Sequence, residues 1–449
     1  MHLNIMKFSD LAILVEAVKL AEEVKPSQHA KREVFKKHGI LGTDRDRMLT
    51  ALFYSIMKRQ GILDKIISQI INIENPLILD PWLRAALRVA VELIVFHEVP
   101  APVMKAIRWK VASLLSNTTH PYVGMYYWKI IDKIKEYKFE PKDEVEELEF
   151  KYMLPRWFIE RMRKILGPDD ANELFKALNK KPLISVRVNT LKASVDEVME
   201  ELKREGIKPI ISPRVPVVIK FKGPYDFDKS PLYKNGKIII QEEASAAAAL
   251  LLNPQPSEVV VDMCAAPGGK TTHLAEIMKN KGIIHAFDID KRRLKRMRQL
   301  LKRCGISIVK IYEEDNAEAP KILGEEIADK VLLDPPCSSD GTIAKNPELR
   351  WRIRPEKIPE LARIQYMMLE TAVKLVKPGG RILYCTCSMF KEENEDLIQK
   401  LLQEHREMKL VELNSPYSSG FLKGTMRAWP HKHNTIGFFY ALLEKQARK

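Results

Sequence analysis

The first 140 residues place apolar side chains at helical spacing and show no strand pattern. Apolar residues recur three and four positions apart, which is typical of amphipathic helices that bury one face. Asp80 followed by Pro81 indicates a helix start, because Asp caps a helix and Pro fits its first position. These patterns predict an all-helical N-terminal domain over residues 1–140. The apolar stretches lie at 11–21, 48–56, 83–94, 103–114 and 127–134.

A different pattern occupies residues 141–240, where a charged linker is followed by helices and short strands. Residues 183–190 alternate between apolar and polar side chains, which predicts a half-buried strand. Residues 217–221 and 238–241 predict two more strands, so we expect a small α+β unit. Arg187 and Asn189 fall on the polar face of the first strand, where they suit phosphate and base-edge contacts. The alternative is that both are ordinary solvated residues.

From residue 241 to 449 short apolar strands alternate with helical patterns such as Leu361–Val376. This alternation predicts an α/β domain with a mostly parallel, doubly wound sheet. The apolar run Ile436–Leu443 suits an antiparallel last strand. The other strand candidates are Val259–Asp262, Ile283–Asp288, Val309–Glu313, Lys330–Leu333 and Arg381–Cys385.

The turn after the first of these strands predicts a cradle for a small molecule. Pro267, Gly268 and Gly269 allow the backbone to approach a ligand closely, and the G-x-G-x-x-G pattern of dinucleotide sites is missing. Asp288 can bind ribose hydroxyls, Asp315 an adenine amino group, and Asp334 lies where a sulfonium methyl would point. Acidic residues at three successive strand ends favour a cationic nucleoside without phosphates, S-adenosylmethionine. The alternative for each Asp is a helix cap or a turn.

Two cysteines follow neighbouring strands, Cys337 after the fourth and Cys387 after the fifth. A thiolate that adds to carbon 6 of a pyrimidine makes carbon 5 nucleophilic enough to accept a methyl group. Asp334 would orient the base, and the residues alone do not decide which cysteine attacks. The spacing lacks C-x-x-C pairs, so we expect no metal site. Buried, inert thiols are the alternative, and we expect that role for Cys304.

Composition narrows the class of protein and its surroundings. The chain has 449 residues and a formal net charge of +15, which favours a polyanionic partner, either nucleic acid or an anionic membrane face. The alternative is a lysine-rich surface without a partner. No apolar run is long enough to span a bilayer, so we expect no membrane association. An odd number of cysteines, five, favours the reducing cytoplasm. We take a monomer as the default oligomeric state.

Two further segments are candidates for RNA contact. Arg350-Trp351-Arg352 offers an aromatic ring between guanidinium groups, which suits stacking of an unpaired base, although a core tryptophan fits equally. A basic run follows the second strand and contains no acidic residue, so its members can contact phosphates or form a solvated face. The run consists of Lys291, Arg292, Arg293, Lys295, Arg296, Arg298, Lys302 and Arg303.

The motifs DMCAAPGGKTTHLAE, FDID, LLDPPCSSDGTI, KPGG and YCTCSMFKEENE occur here in the order and wording of one family. The chain resembles the RNA cytosine-5 methyltransferases of the RsmB/Sun (Fmu) family, and DRDRMLTALFYSIMKRQGILDKII resembles a NusB-type domain. The resemblance implies that Cys387 is the nucleophile, that Cys337 assists product release, and that S-adenosylmethionine is the cofactor. The residues implied to hold the cofactor are Cys264, Ala265, Ala266, Pro267, Gly268, Gly269, Lys270, Asp288, Arg293, Asp315 and Asp334.

The resemblance also sets the expected organisation. We expect a NusB-like RNA-binding bundle at 1–140, linker helices with a small α+β RNA-binding subdomain at 141–240, and a Rossmann-like methyltransferase domain at 241–449. The family often has an Asp where this chain has Ile436, so one polar contact near the cleft is lost. The predicted reaction is methylation of a cytosine in RNA, with rRNA favoured over tRNA. The rival hypotheses are a non-catalytic ribosome-assembly factor and a DNA cytosine-5 methyltransferase.

Overall fold

The computed structural model describes residues 6–447 and divides into two units. The first unit contains the chain up to Phe175 together with Asn346–Arg352, and the second contains Lys176–Lys345 and the chain from Ile353 onward. The predicted boundaries at residues 140 and 240 are a finer division and stay a prediction. None of the helices in the described part of the chain is long and apolar enough to cross a membrane.

The first unit is built from helices that bury the predicted apolar faces. Leu11, Leu14 and Val18 are fully buried, and the side chain of Asp80 accepts hydrogen bonds from the first turn of its helix, as expected. Within the described residues, no strand precedes Ile184. The helices are α1 (Phe8–Leu20), α2 (Ser27–Lys37), α3 (Asp44–Ile71), α4 (Pro81–Phe96), α5 (Ala101–Lys105), α6 (Val111–Thr118), α7 (Pro121–Glu136), α8 (Glu144–Tyr152) and α9 (Arg156–Leu166).

The rest of the chain alternates strands and helices. Each predicted strand is present, with boundaries that differ from the predicted ones by a few residues. Four further strands were not predicted from the sequence, and they are Ile210–Ile211, Met408–Val411, Ser418–Ser419 and Met426–Ala428. The strands are β1 (Ile184–Val188), β2 (Ile210–Ile211), β3 (Val218–Phe221), β4 (Ile238–Ile240), β5 (Val259–Asp262), β6 (Ile283–Phe287), β7 (Val309–Tyr312), β8 (Ala328–Leu333), β9 (Val376–Thr386), β10 (Met408–Val411), β11 (Ser418–Ser419), β12 (Met426–Ala428) and β13 (Phe438–Lys445). The helices are α10 (Pro168–Asn179), α11 (Val195–Arg204), α12 (Pro231–Lys234), α13 (Glu243–Leu252), α14 (Gly269–Ile277), α15 (Lys291–Cys304), α16 (Ala319–Leu323), α17 (Leu349–Arg352), α18 (Ile358–Leu375), α19 (Glu395–Glu404) and α20 (Pro430–His433).

The short helix α17 belongs to the first unit, although the second unit surrounds it in sequence. Trp351 Nε1 donates a hydrogen bond of 2.8 Å to the carbonyl of Lys58 on α3, and its ring packs where a Cβ at Gly61 would overlap it. Arg350 is buried and donates to the carbonyl of Met153. The prediction that Arg350-Trp351-Arg352 stacks an unpaired base is therefore wrong, because Trp351 is partly buried and packs against the core of the first unit, as the alternative interpretation expects.

The second unit contains two sheets. The smaller is antiparallel with the order β2-β3-β1-β4, and the larger has the order β11-β12-β13-β9-β8-β5-β6-β7, with β10 paired to β13. Strands β5 to β9 are parallel, and β13 runs antiparallel to β9, as predicted for the last strand. The chain proceeds from β5 to β6 and β7 on one side and returns to β8 on the other. In open α/β sheets a ligand crevice lies at such a reversal.

Arg187 on β1 is buried in an ion pair that joins the small sheet to helix α14. Its Nη2 lies 2.7 Å from Glu276 Oε1 and its Nη1 donates to the carbonyl of Gly269 at 2.7 Å. Asn189 is also fully buried and donates to the carbonyls of Gly236 and Cys304. The expectation that Arg187 and Asn189 lie on an exposed face is wrong, because the larger domain covers that face of the sheet.

We therefore predict that Arg187→Ala lowers stability without a selective loss of RNA binding. Removing one partner of a buried ion pair leaves the other charge unpaired and costs about 3–5 kcal/mol. The measurement is the thermal unfolding midpoint, with RNA affinity measured well below it. The exposed Arg204→Ala removes the same charge and is the control, which we expect to change stability little. Wild-type stability of Arg187→Ala together with weak RNA binding would contradict this prediction.

Candidate active site

The glycine turn predicted to be a cradle lies between β5 and α14. Gly268 has φ +102°, a backbone conformation that disfavours side chains, and α14 begins at the next residue. Asp262, the last residue of β5, is buried and accepts a 2.7 Å hydrogen bond from Thr271 Oγ1. Burial, with the Asp334 carboxylate adding to it, raises the pKa of Asp262 to about 7. The hydrogen bond between Asp262 and Thr271 thus joins the strand before the turn to the helix after it.

A cavity of about 410 Å³ opens at the carboxyl ends of the parallel strands. It contains residues from the ends of β5, β6, β7, β8 and β9, so the topology brings together side chains far apart in sequence. Seven residues predicted for the site line it, and they are Cys264, Asp288, Arg293, Asp315, Asp334, Cys337 and Cys387. Residues not predicted from sequence also line it, among them Met263, Ile289, Asn316, Pro336, Ser339 and Met368.

The remaining predicted cofactor residues do not line this cavity. Ala266 lies behind Asp288, to which its N–H donates at 3.1 Å, and its carbonyl accepts from Arg293. Ala265 is buried against helix α15, and Gly268 supplies the turn conformation. Pro267 and Gly269 line a second cavity on the side of α15. These residues therefore shape the cradle from outside the cavity.

Lys270 acts on the cavity through Asp334. Its Nζ lies 2.6 Å from Asp334 Oδ2, and both side chains are largely buried. Burial alone would lower the pKa of Lys270, but the Asp334 carboxylate, together with Cys385 and Cys387, raises that pKa above its usual value. Lys270 therefore stays charged at neutral pH. Asp334 Oδ1 lies 3.8 Å from the buried thiol of Cys385, whose pKa burial raises.

The two predicted cysteines meet in the cavity. Cys337 Sγ lies 3.2 Å from Cys387 Sγ, and Ser339 Oγ lies 3.8 Å and 3.5 Å from the two sulfurs respectively. Both cysteines are free thiols. The hydrogen bond with Cys387, together with burial, raises the pKa of the Cys337 thiol well above its usual range. Cys337 therefore holds its proton at neutral pH.

A buried polar network that sequence reasoning missed holds the two cysteine loops. Glu393 accepts hydrogen bonds from Ser338 N at 3.0 Å and from Ser388 Oγ at 2.7 Å, so it joins the residues that follow each cysteine. Asp340 accepts from Met389 N at 3.0 Å. Burial, followed by the Glu393 carboxylate, raises the pKa of Asp340 to about 7. Glu393 belongs to the charged KEENE run, in which nothing distinguishes a buried carboxylate from a solvated one.

Asp315 and Asp288 make local hydrogen bonds and also line the cavity. Asp315 caps a short helical turn by accepting from Ala317 N at 2.9 Å, and Asp288 accepts from Asp290 N at 2.9 Å. The two interpretations given to them from sequence, cap or ligand contact, are thus compatible. Among residues 6–447, no cluster of three His, Cys, Asp or Glu side chains is arranged to hold a metal ion.

Comparison with known proteins identifies the class of this protein. The family model described as 16S rRNA methyltransferase RsmB/F matches residues 249–444, a ferredoxin-like domain of RsmF/B-like methyltransferases matches 154–228, and the NusB family matches 12–107. A relative from Synechocystis named "Probable ribosomal RNA small subunit methyltransferase B" is 32% identical over 421 residues, which cover 91% of this chain and 93% of the relative.

Solved structures agree with these matches. The crystal structure of PH0851 is 58% identical, covers 98% of this chain and 99% of its own, and superposes with a TM-score of 0.92. NSun6 from Pyrococcus horikoshii, solved with SFG, is 28% identical, covers 66% and 99%, and has a TM-score of 0.61.

The chain is thus an S-adenosylmethionine-dependent RNA methyltransferase. The chain belongs to the RsmB/F family of these enzymes, with a NusB-type helical domain at its front. The predicted fold class, the RsmB/Sun family and the cofactor are confirmed.

The raised pKa of Asp262 leads to a prediction for stability against pH. The folded-state pKa of about 7 lies above the ordinary value of 3.8, so between these values the folded protein holds a proton that the unfolded chain has released. This contribution makes stability fall as pH rises from about 4 to 7, by at most about 1.4 kcal/mol per pH unit, and it is constant above that range.

Asp262→Asn should therefore show a smaller loss of stability than the wild type between pH 4.5 and 7.5. The thermal midpoint measured across this range tests the prediction. The exposed Asp196→Asn serves as the control and should follow the wild type. Parallel curves for Asp262→Asn and the wild type would show that Asp262 is already ionised at the lower pH.

Proposed function

We propose that this enzyme methylates carbon 5 of a cytosine in ribosomal RNA through a covalent bond between Cys387 and carbon 6 of the base. The single observation that supports this most is the pair of free thiols 3.2 Å apart, Cys337 and Cys387, in one cavity with Asp334. One thiol would suffice for attack. A second thiol in contact with it is a group available for the release step.

The cavity fits S-adenosylmethionine through its carboxylates. Asp288, Asp315 and Asp334 line the cavity with carboxylate oxygens, which can accept hydrogen bonds from the hydroxyl and amino groups of a nucleoside. We assign Asp288 to the ribose hydroxyls, Asp315 to the adenine amino group, and Cys264 and Arg293 to the walls. Residues 265–270 support these contacts from behind. The cofactor, when bound, supplies a methyl group on a sulfonium.

The thiol pair supports the assignment of Cys387 as the nucleophile. Cys337 keeps its proton because its pKa is raised, and it can donate an S–H hydrogen bond to Cys387 Sγ. Such a bond stabilises a thiolate on Cys387. The thiolate adds to carbon 6, and the electron pair of the 5,6 double bond moves to carbon 5. Carbon 5 takes the methyl group as the methyl–sulfur bond breaks, and the electron pair of that bond stays on the sulfur, which leaves as an uncharged thioether.

Release reverses the addition. A base removes the proton of carbon 5, the electron pair of that C–H bond re-forms the double bond, and the bond between carbon 6 and the sulfur breaks to return the Cys387 thiolate. We assign Cys337 to the last part of this step, as the S–H donor to the departing sulfur, which lies 3.2 Å away. Asp334 orients the ring nitrogen and the amino group of the base, and Lys270 balances the Asp334 charge at 2.6 Å.

The RNA must present an unstacked cytosine, since the thiols lie inside a cavity and a paired base is inaccessible. Ribosomal RNA is favoured over tRNA because the matched family model is described as a 16S rRNA methyltransferase and the relative from Synechocystis is named for the small subunit RNA. We further propose a metal-independent monomer in the cytoplasm, where the five cysteines would remain reduced.

Variants of the two cysteines test the mechanism. Cys387→Ala should abolish methyl transfer to RNA by at least about 10³-fold, because the nucleophile is lost. Cys337→Ala should trap a covalent protein–RNA adduct that survives denaturing gel electrophoresis. Cys304→Ala removes a thiol buried outside the cavity and should retain activity. An adduct in Cys387→Ala in place of Cys337→Ala would reverse the two roles.

The substrate is tested separately. Bisulfite sequencing of total RNA from a deletion strain should show the loss of methylation at a cytosine of small-subunit ribosomal RNA. Complementation with the wild-type gene should restore the modification, and complementation with the Cys387→Ala gene should not. A loss confined to tRNA would contradict the proposed substrate, and a loss at no cytosine would contradict the proposed reaction.

A further inference from the structure

A second cavity, of about 400 Å³, lies between the small sheet and helix α15 and has no part in the chemistry described above. Its volume is in the range of small-molecule sites, which is about 300–1,000 Å³. It lies within the second unit, and Pro267 and Gly269 of the glycine turn form one of its walls. Cys264 of the same turn lines the active-site cavity, so the two cavities share this turn.

The polar lining of the second cavity consists of Arg296, Gln299 and Arg303 from α15. Among the described residues, neither guanidinium group has a carboxylate at ion-pair distance, whereas the neighbouring Arg293 pairs with Asp288. Helix α15 contributes eight basic residues and no acidic one. Unpaired guanidinium groups on such a helix attract an anion, and their planar donors match phosphate oxygens.

The opposite wall is apolar and aromatic. Ile240 is 51% exposed on β4, which is an edge strand of the small sheet, and Tyr233 precedes that strand. The guanidinium group of Arg303 lies over the Tyr233 ring, 3.8 Å from its centroid. A flat surface of this kind next to cationic groups is what a nucleobase and its phosphate require. Gln299 adds an amide that can reach a base edge.

We infer that this cavity binds a nucleotide of the substrate RNA, next to the cytosine that enters the active site. Arg296 and Arg303 contact its phosphates, while Tyr233, Ile240 and Pro267 contact its base and ribose. This inference rests on the proposed function in one respect, that the substrate is an RNA strand. The uncompensated positive charge favours RNA, and an acidic peptide is the other polyanion that the test must separate.

The test compares two double variants of the same helix. Arg296→Gln/Arg303→Gln removes the two guanidinium groups of the cavity, and Lys295→Gln/Arg298→Gln removes two exposed charges of α15 that do not line it. The probe is in-vitro transcribed small-subunit ribosomal RNA, and its affinity is measured by filter binding over a salt series. S-adenosylmethionine affinity, measured by calorimetry, reports on the first cavity.

The cavity variant should bind the transcript at least about tenfold more weakly, and the slope of log affinity against log salt should fall by about 1.5, as expected for two lost phosphate contacts. The control variant should change RNA affinity less than threefold, and neither variant should change S-adenosylmethionine affinity. If the double variant is unstable, Arg296→Gln alone should weaken RNA binding in the same way but less. The Arg296 side chain has no hydrogen bond to another described residue, so this substitution removes no internal contact of that kind. Equal affinities and slopes for the two double variants would overturn the inference.

Two further measurements identify the ligand. RNA containing 4-thiouridine should cross-link under near-ultraviolet light to Tyr233 or to the α15 peptide, and the cavity variant should lose that cross-link. The inference would be overturned if the cavity variant lost affinity for free cytidine monophosphate or for polyglutamate while its RNA affinity stayed unchanged. RNA binding does not require methyl transfer. Weakened RNA binding by the cavity variant therefore supports this site whether or not the wild type methylates cytosine. Absence of cytosine methylation would count against the proposed function alone.

Discussion

The site depends on the parallel pairing of β8 between β5 and β9. Parallel strands end at the same edge of a sheet, so this pairing places Asp262, Asp334 and Cys387 at one edge although 125 residues separate the first from the last. The chain reverses its direction of winding at β5, which opens a crevice there. With another strand order, the residues after β5, β8 and β9 would not lie next to one another.

A dense set of buried polar contacts adds rigidity to this arrangement. The carboxylate of Glu393 joins the loop after Cys337 to the loop after Cys387, and Gly341 N donates to the carbonyl of Cys387 at 2.9 Å. A buried polar network is costly unless all of its members are satisfied, and then it specifies a single geometry. Reactive groups benefit from such fixed neighbours, because two sulfurs at contact distance tolerate little movement.

The features that could be predicted from the sequence are those set by neighbouring residues, and the features that could not are set by distant partners. The strand Val259–Asp262 and the turn after it can be predicted from local sequence, because strand propensity and glycine conformations need no distant partner. The spacing of the three cavity aspartates was readable for the same reason. Arg187 was misread because its partner Glu276 lies 89 residues away, and strand alternation does not reveal which face another domain covers. Glu393 was missed because a buried carboxylate and a solvated one look alike in a run of charges.

The position of α17 has a consequence for biosynthesis. The helical front unit contains a tryptophan from residue 351, which packs at Gly61 and bonds to the carbonyl of Lys58. The ribosome makes the helices of the front unit first. Trp351 cannot pack at Gly61 until nearly 300 further residues, counted from Lys58, have been made. The first unit to be translated is therefore completed only after about half of the predicted methyltransferase domain at 241–449 has been made.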